Sequence, residues 1–190
     1  MRFRNLLLFG FLAAANSFAA TIFYTAVLTG PNESPPNASP GIGSAVVSIN
    51  TITNLMTVDV TFSGLTGTTT ASHIHCCTAV PFVSTAGVAT QTPTFTGFPL
   101  GVTAGTYSNS FDLTQASSYN PAFVTANITV AASEAALLAG LANGQAYLNI
   151  HSSTFGGGEI RGFLVPTPEP GTFALLGGGL LGLAFLRRKQ

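Results

Sequence analysis

The chain has 190 residues, a formal net charge of zero at pH 7 and only 6% charged side chains, where soluble domains carry roughly 25%. That length suits one domain with a real core and is short for two. Arg2, Arg4, Arg187, Arg188 and Lys189 all lie at the ends, leaving Arg161 against five carboxylates between residues 20 and 166; this excludes nucleic acid as a partner, because phosphate binding needs a Lys/Arg footprint.

Residues 1–20 read as a secretory signal peptide. Arg2 and Arg4 give the positive start, Leu6 to Ala15 the apolar run, and Ser17-Phe18-Ala19 a small-x-small cleavage site. A β domain is expected over 21–165, opening with a strand at 21–29. Four prolines and three glycines make 30–43 a loop. Strands follow at 44–50, with Ala45, Val47 and Ile49 on one face, and at 55–63, with Val58, Val60 and Phe62 inward and Thr57, Asp59 and Thr61 outward. Residues 51–54 form the hairpin connection, and the period-two pattern fits an antiparallel sheet with one solvated face.

Residues 64–70 turn the chain into a strand carrying His73-Ile74-His75. The stretch 78–106, rich in Thr, Gly and Pro with Phe82, Phe95 and Phe98, is expected to be a long loop that is either functional or held down by its aromatics. A strand at 107–113, a turn at 114–120 and a strand at 122–130 follow. Ser133 is placed as the cap of a helix over 134–142 that buries Leu137, Leu138 and Leu141, with Gly144 ending it. The last two strands, 145–151 and 159–165, are joined by the turn 152–158. Eight strands and one short helix argue an all-β fold, an antiparallel Greek-key sandwich or flattened barrel.

Chemistry is scarce and concentrated. The chain has three histidines. Strand parity puts His73 and His75 on one face with Ile74 on the other, and likewise His151 with Tyr147 and Asn149 opposite Leu148 and Ile150. If both isoleucines face the core and the strands are neighbours, all three imidazoles share one outer face. A His-x-His pair plus a third histidine on a neighbouring strand is a donor set for copper or zinc. Alternatively, the rings are a hydrogen-bonded cluster bracing two strands. Glu159 and Arg161, on one face of their strand, are placed behind the histidines or as a simple cross-strand pair. Cys76 and Cys77, the only cysteines, are left as a free vicinal pair, a bond to each other, a link between chains, or additional metal ligands. No Gly-x-Ser-x-Gly elbow or Ser-x-x-Lys is present, and no lysine precedes Lys189, so a non-enzymatic binding or structural role is expected.

At the C-terminus, Pro168-Glu169-Pro170 is followed by a 15-residue apolar run over 172–186 and then Arg187-Arg188-Lys189. As a helix the run spans ~22 Å at 1.5 Å per residue, a marginal transmembrane length against a ~30 Å hydrocarbon core. The basic cluster would stay cytoplasmic and the domain beyond the membrane. This order of elements over 166–190 resembles the PEP-CTERM protein-sorting signal. The resemblance implies recognition and cleavage by an exosortase in the inner membrane, a transient single-span anchor, then release to the cell surface or extracellular matrix. With the charge-poor, Thr/Ser-rich surface and the missing catalytic machinery, polysaccharide or surface proteins are the expected partners there.

Phe23-Tyr24-Thr25-Ala26, Ala71-Ser72-His73-Ile74-His75, Ala146-Tyr147-Leu148-Asn149-Ile150-His151 and Gly157-Gly158-Glu159-Ile160-Arg161-Gly162, in that order, resemble the CHRD domain. The resemblance implies an immunoglobulin-like β fold and no established enzymatic activity. Cys76-Cys77 stands where members often have Gly-Pro. A fainter similarity to copper/zinc superoxide dismutases implies His73, His75 and His151 as copper ligands with Arg161 as an anion guide. That family's bridging histidine has no counterpart here, since no fourth histidine exists.

Overall fold

The computed structural model describes residues 21–167. The expected signal peptide, the Pro168-Glu169-Pro170 motif, the apolar run and the basic cluster Arg187-Arg188-Lys189 lie outside the described residues. The strands are β1 (Thr21–Thr29), β2 (Ile42–Asn50), β3 (Leu55–Ser63), β4 (Thr69–His75), β5 (Gly105–Asp112), β6 (Tyr147–Ser152), β7 (Ile160–Phe163) and β8 (Val165–Thr167). Two helices, α1 (Pro121–Asn127) and α2 (Val130–Ala142), stand between β5 and β6.

The strands form one antiparallel sheet in the order β4-β6-β7-β1-β2-β3-β5, with β8 also pairing β1. The sheet divides where β7 gives way to β8. Both continue a single register on β1, Arg161 opposite Thr29 and Val165 opposite Thr25, and residues 160–163 are paired with β6 on their other side. Gly162 makes this corner, since a Cβ there would sit 2.3 Å from the Val27 carbonyl oxygen; only glycine lets two backbones approach so closely. The sheet therefore curls into a half-barrel, consistent with the expected sandwich or flattened barrel. Leu28, Val47 and Val58 from β1, β2 and β3 share one apolar cluster with Ile74, Leu148, Ile150 and Ile160 from β4, β6 and β7.

The strand expected at 122–130 is helical instead. Asn120 caps α1 by accepting from the Ala122 N–H, and Pro121 supplies the fixed φ of a first helical position. Thr129 caps α2 by accepting from Ala132 N, so that helix begins before Ser133, which lies buried within it and returns its hydroxyl to the Thr129 carbonyl. Ile128, at φ 73° and 87% exposed, is the joint between the helices. These caps outweigh the β-branched look of Val124, Thr125 and Ile128. Among the described residues no single helix is long and apolar enough to cross a membrane.

The long segment after β4 is laid along that strand's free edge. Thr94 and Thr90 accept from the N–H groups of Ser72 and Ile74 through their hydroxyls, both at 2.9 Å, and the Gly87 carbonyl accepts from Cys76 at 3.1 Å. Phe95, fully buried, anchors it against Tyr107 and Phe111 at ring distances of 5.9 and 5.3 Å. Threonine hydroxyls thus do for this edge what a neighbouring strand would. The same course brings two of the segment's carbonyls over the histidine face.

Candidate metal centre

Ile74 and Ile150 are fully buried in the core, so the alternation of β4 and β6 throws their histidines to the opposite face. The register pairs His73 with Asn149, His75 with Tyr147 and Ala71 with His151, which sets His151 diagonally beside His73. Ring centroids are 5.2 Å apart for His73 and His151, 5.8 Å for His73 and His75, and 6.1 Å for His75 and His151. The expected shared face is therefore formed. It is not an outer one: the segment following β4 covers it, and His73 and His75 are only 6% and 8% exposed.

Each ring is held by one backbone carbonyl. His73 Nε2 donates to Pro93 at 2.6 Å, His75 Nδ1 to Ala86 at 2.9 Å, and His151 Nδ1 to Gly156 at 2.9 Å. A carbonyl can only accept, so that nitrogen carries the proton and the other carries a bare lone pair. Those other nitrogens, His73 Nδ1, His75 Nε2 and His151 Nε2, are buried with no hydrogen-bond partner. One ligand nitrogen from each ring lies within 4.8 Å of the others. A metal at ~2.0–2.1 Å from each would need them about 3.3–3.6 Å apart, a closure of under ~1 Å per ring. An imidazole whose far N–H is fixed on a carbonyl is the usual arrangement of a metal-binding histidine.

Burial favours the neutral form of His75 and His73. It pushes His75 down to about 4 against the opposing pull of the Ala86 carbonyl, with the positive charges of His73, His151 and Arg161 adding to the effect. His73 is lowered for the same first reason, partly offset by its bond to the Pro93 carbonyl and reinforced by His151. Neutral imidazole is the form that can ligate.

Arg161 lies behind this face. Its guanidinium sits 4.7 Å from the Tyr147 ring centroid, and that ring in turn stacks on His75 at 4.8 Å and 5°. Glu33, which sequence reasoning left inside a proline-rich loop, proves to be its acidic neighbour, Nε to Oε2 at 3.9 Å with both side chains 5% exposed. Arg161 gives its Nε–H to the Asn32 carbonyl at 2.5 Å rather than to that carboxylate. Burial therefore wins over the arginine and raises Glu33 to about 7. Asn149 donates weakly to Glu33 at 3.5 Å. That Glu33 is the only charged side chain in its loop was the available signal.

Glu159 is not with Arg161. Fully buried, it accepts from Ser39 Oγ at 2.6 Å, from Gly67 N at 3.2 Å and from Thr66 N, and so clasps two loops. Burial alone would raise its carboxyl, but hydrogen bonds from Ser152, Ser39, Thr66 and Gly67 outweigh this and hold it below the usual range. Glu159→Ala is expected to cost ~3 kcal/mol or more, since it strands several buried donors. Urea unfolding checks this, and a loss under ~0.5 kcal/mol, typical of a surface change, would rule the clasp out.

Cys76 and Cys77 are bonded to each other, so of the alternatives left open by the sequence the structure takes the vicinal disulfide, and the sulfurs are not ligands here. Both sulfurs press on α2, where a Cβ at Gly140 would fall 2.2 and 2.5 Å from them.

Comparison with known families finds the CHRD domain over residues 24–164 and the PEP-CTERM protein-sorting motif over residues 166–189. No curated protein and no solved structure matches the chain.

Proposed function

The chain belongs to the CHRD domain family and ends in a PEP-CTERM sorting motif, and from that premise we propose that it is an exported, exosortase-processed surface or matrix domain whose binding element is a three-histidine transition-metal site. The motif is of the kind that exosortase recognises and marks the chain for export with a C-terminal membrane-transit signal. In this reading the segment 172–186 is a transient single-span anchor and the folded domain is what remains outside. The role is one of binding, without catalysis, at the surface or in the matrix.

One observation carries the metal reading: three imidazoles with ligand nitrogens within 4.8 Å of one another each keep one buried nitrogen without a hydrogen-bond partner. A cluster whose only work was to brace β4 against β6 would spend both nitrogens of each ring on the protein, because an orphaned buried acceptor costs about 1–3 kcal/mol. Here each ring spends one. Metal analysis of the purified protein, beside His75→Ala, is the test. One equivalent of copper or zinc, lost in the variant, supports the site; metal-free protein that takes up neither ion on addition removes it. Mass spectrometry of the exported protein checks the processing half, and an intact C-terminus on the surface-located form would contradict it.

A further inference from the structure

The site offers three neutral nitrogen donors and no anion. Among the described residues no carboxylate or further histidine joins His73, His75 and His151 in the ligand cluster, and the neighbouring cysteines are tied up in their disulfide. The three free nitrogens are themselves closed off from solvent. A bound ion therefore meets three protein donors closed off from solvent, with no fourth histidine, cysteine or carboxylate beside them.

Charge narrows the choice. An ion placed here keeps its full charge, since no thiolate or carboxylate ligand neutralises it, and the desolvation cost of a buried ion climbs steeply with charge. The fixed positive charge of Arg161 stands behind Tyr147, itself stacked on His75. Glu33 is the carboxyl closest to that arginine, and it directs no hydrogen bond to the ligand rings. Zinc takes four ligands in nearly all its protein sites, filling any gap with water. Copper(I), monovalent and content with three-coordinate planar geometry, matches both the donor count and the charge.

Resting on the three-histidine reading, we infer that the site is a closed, three-coordinate copper(I) site that selects monovalent copper over zinc. The ligands are His73 Nδ1, His75 Nε2 and His151 Nε2, with the Ala86, Pro93 and Gly156 carbonyls fixing the rings from behind. Neither cysteine takes part.

The test is an anaerobic competition on the full-length chain in detergent, with copper(I) and zinc(II) titrated separately against chelators of known affinity. The expected result is one equivalent of copper(I), three nitrogen donors at ~2.0 Å by X-ray absorption, and zinc bound roughly 100-fold or more weakly. Zinc binding as tight as copper(I), or a fourth donor on the copper, overturns the copper(I) assignment and leaves the histidine site standing. Binding of neither ion by folded protein overturns both. His75→Ala and His151→Ala are each expected to weaken copper(I) by about 100-fold or more, since loss of an outer-shell partner alone costs 10–100-fold. His151 is half-exposed near a strand end, so its variant gives the answer if His75→Ala does not fold. Unchanged copper(I) affinity in folded His151→Ala overturns the ligand set.

Discussion

Metal loading is expected to raise the melting temperature of the protein by about 10 °C, and neither His75→Ala nor His151→Ala is expected to show the rise. An ion that binds the folded chain and not the unfolded one stabilises it by RT ln(1 + [L]/Kd), which is ~4 kcal/mol at a thousandfold excess over Kd. In a chain of this size each kcal/mol moves the midpoint by about 2–4 °C. Without metal, His73, His75 and His151 each keep a buried lone pair unsatisfied, so the metal-free state starts from a deficit that binding relieves. If the rings only brace β4 against β6, each through its single carbonyl bond, added metal leaves the melting curve where it was and the variants lose the same stability with and without metal. Differential scanning calorimetry in chelator, then with copper and with zinc added separately, distinguishes these outcomes. A shift that survives His151→Ala would place the ion elsewhere.

Much of this site was legible before any coordinates, for a simple reason. In a strand, side-chain direction has a period of two, so burying Ile74 and Ile150 dictates where His73, His75 and His151 must point. What parity could not show was the cover. The carbonyls of Ala86, Pro93 and Gly156 that set the tautomers are main-chain atoms of loops, and no residue type announces them. Glu159 and Arg161 illustrate a second limit. They are two apart, as on one strand face, but β7 starts only at Ile160, and Gly158 at φ 133° turns the chain just before it. The carboxylate therefore leaves the histidine face for Ser39, Thr66 and Gly67, while the guanidinium stays. Helix α1 was missed because its decisive residues are Asn120 and Pro121, outside the apolar pattern that suggested a strand. The division of the last strand into β7 and β8 depends on Gly162 meeting Val27, a contact between distant parts of the chain.

The buried acid beside Arg161 should give the metal-free protein a measurable pH signature, which Glu33→Gln removes. Glu33 is held at about 7 in the folded chain against an ordinary 4.5, first by burial and against the pull of Arg161, the Ser34 N–H and Asn149. A carboxyl with a raised folded value contributes stability that is full below the unfolded value and is lost as pH rises through the folded one. Between pH 4.5 and 7 that loss amounts to as much as about 3 kcal/mol. His75 runs the other way: its value near 4 against an ordinary 6.5 means the unfolded chain takes up the proton first, so stability falls as pH drops from 6.5 towards 4. In the wild type the two slopes largely offset each other. Comparing wild type with Glu33→Gln cancels the histidines and isolates the acid, because both proteins carry the same rings. Urea unfolding in chelator at pH 7.5, 6 and 4.5 should therefore show the variant losing ~3 kcal/mol more than wild type on acidification. Parallel pH profiles would mean that Glu33 is ionised throughout, paired with Arg161 despite the 3.9 Å separation and the Nε–H already given to Asn32.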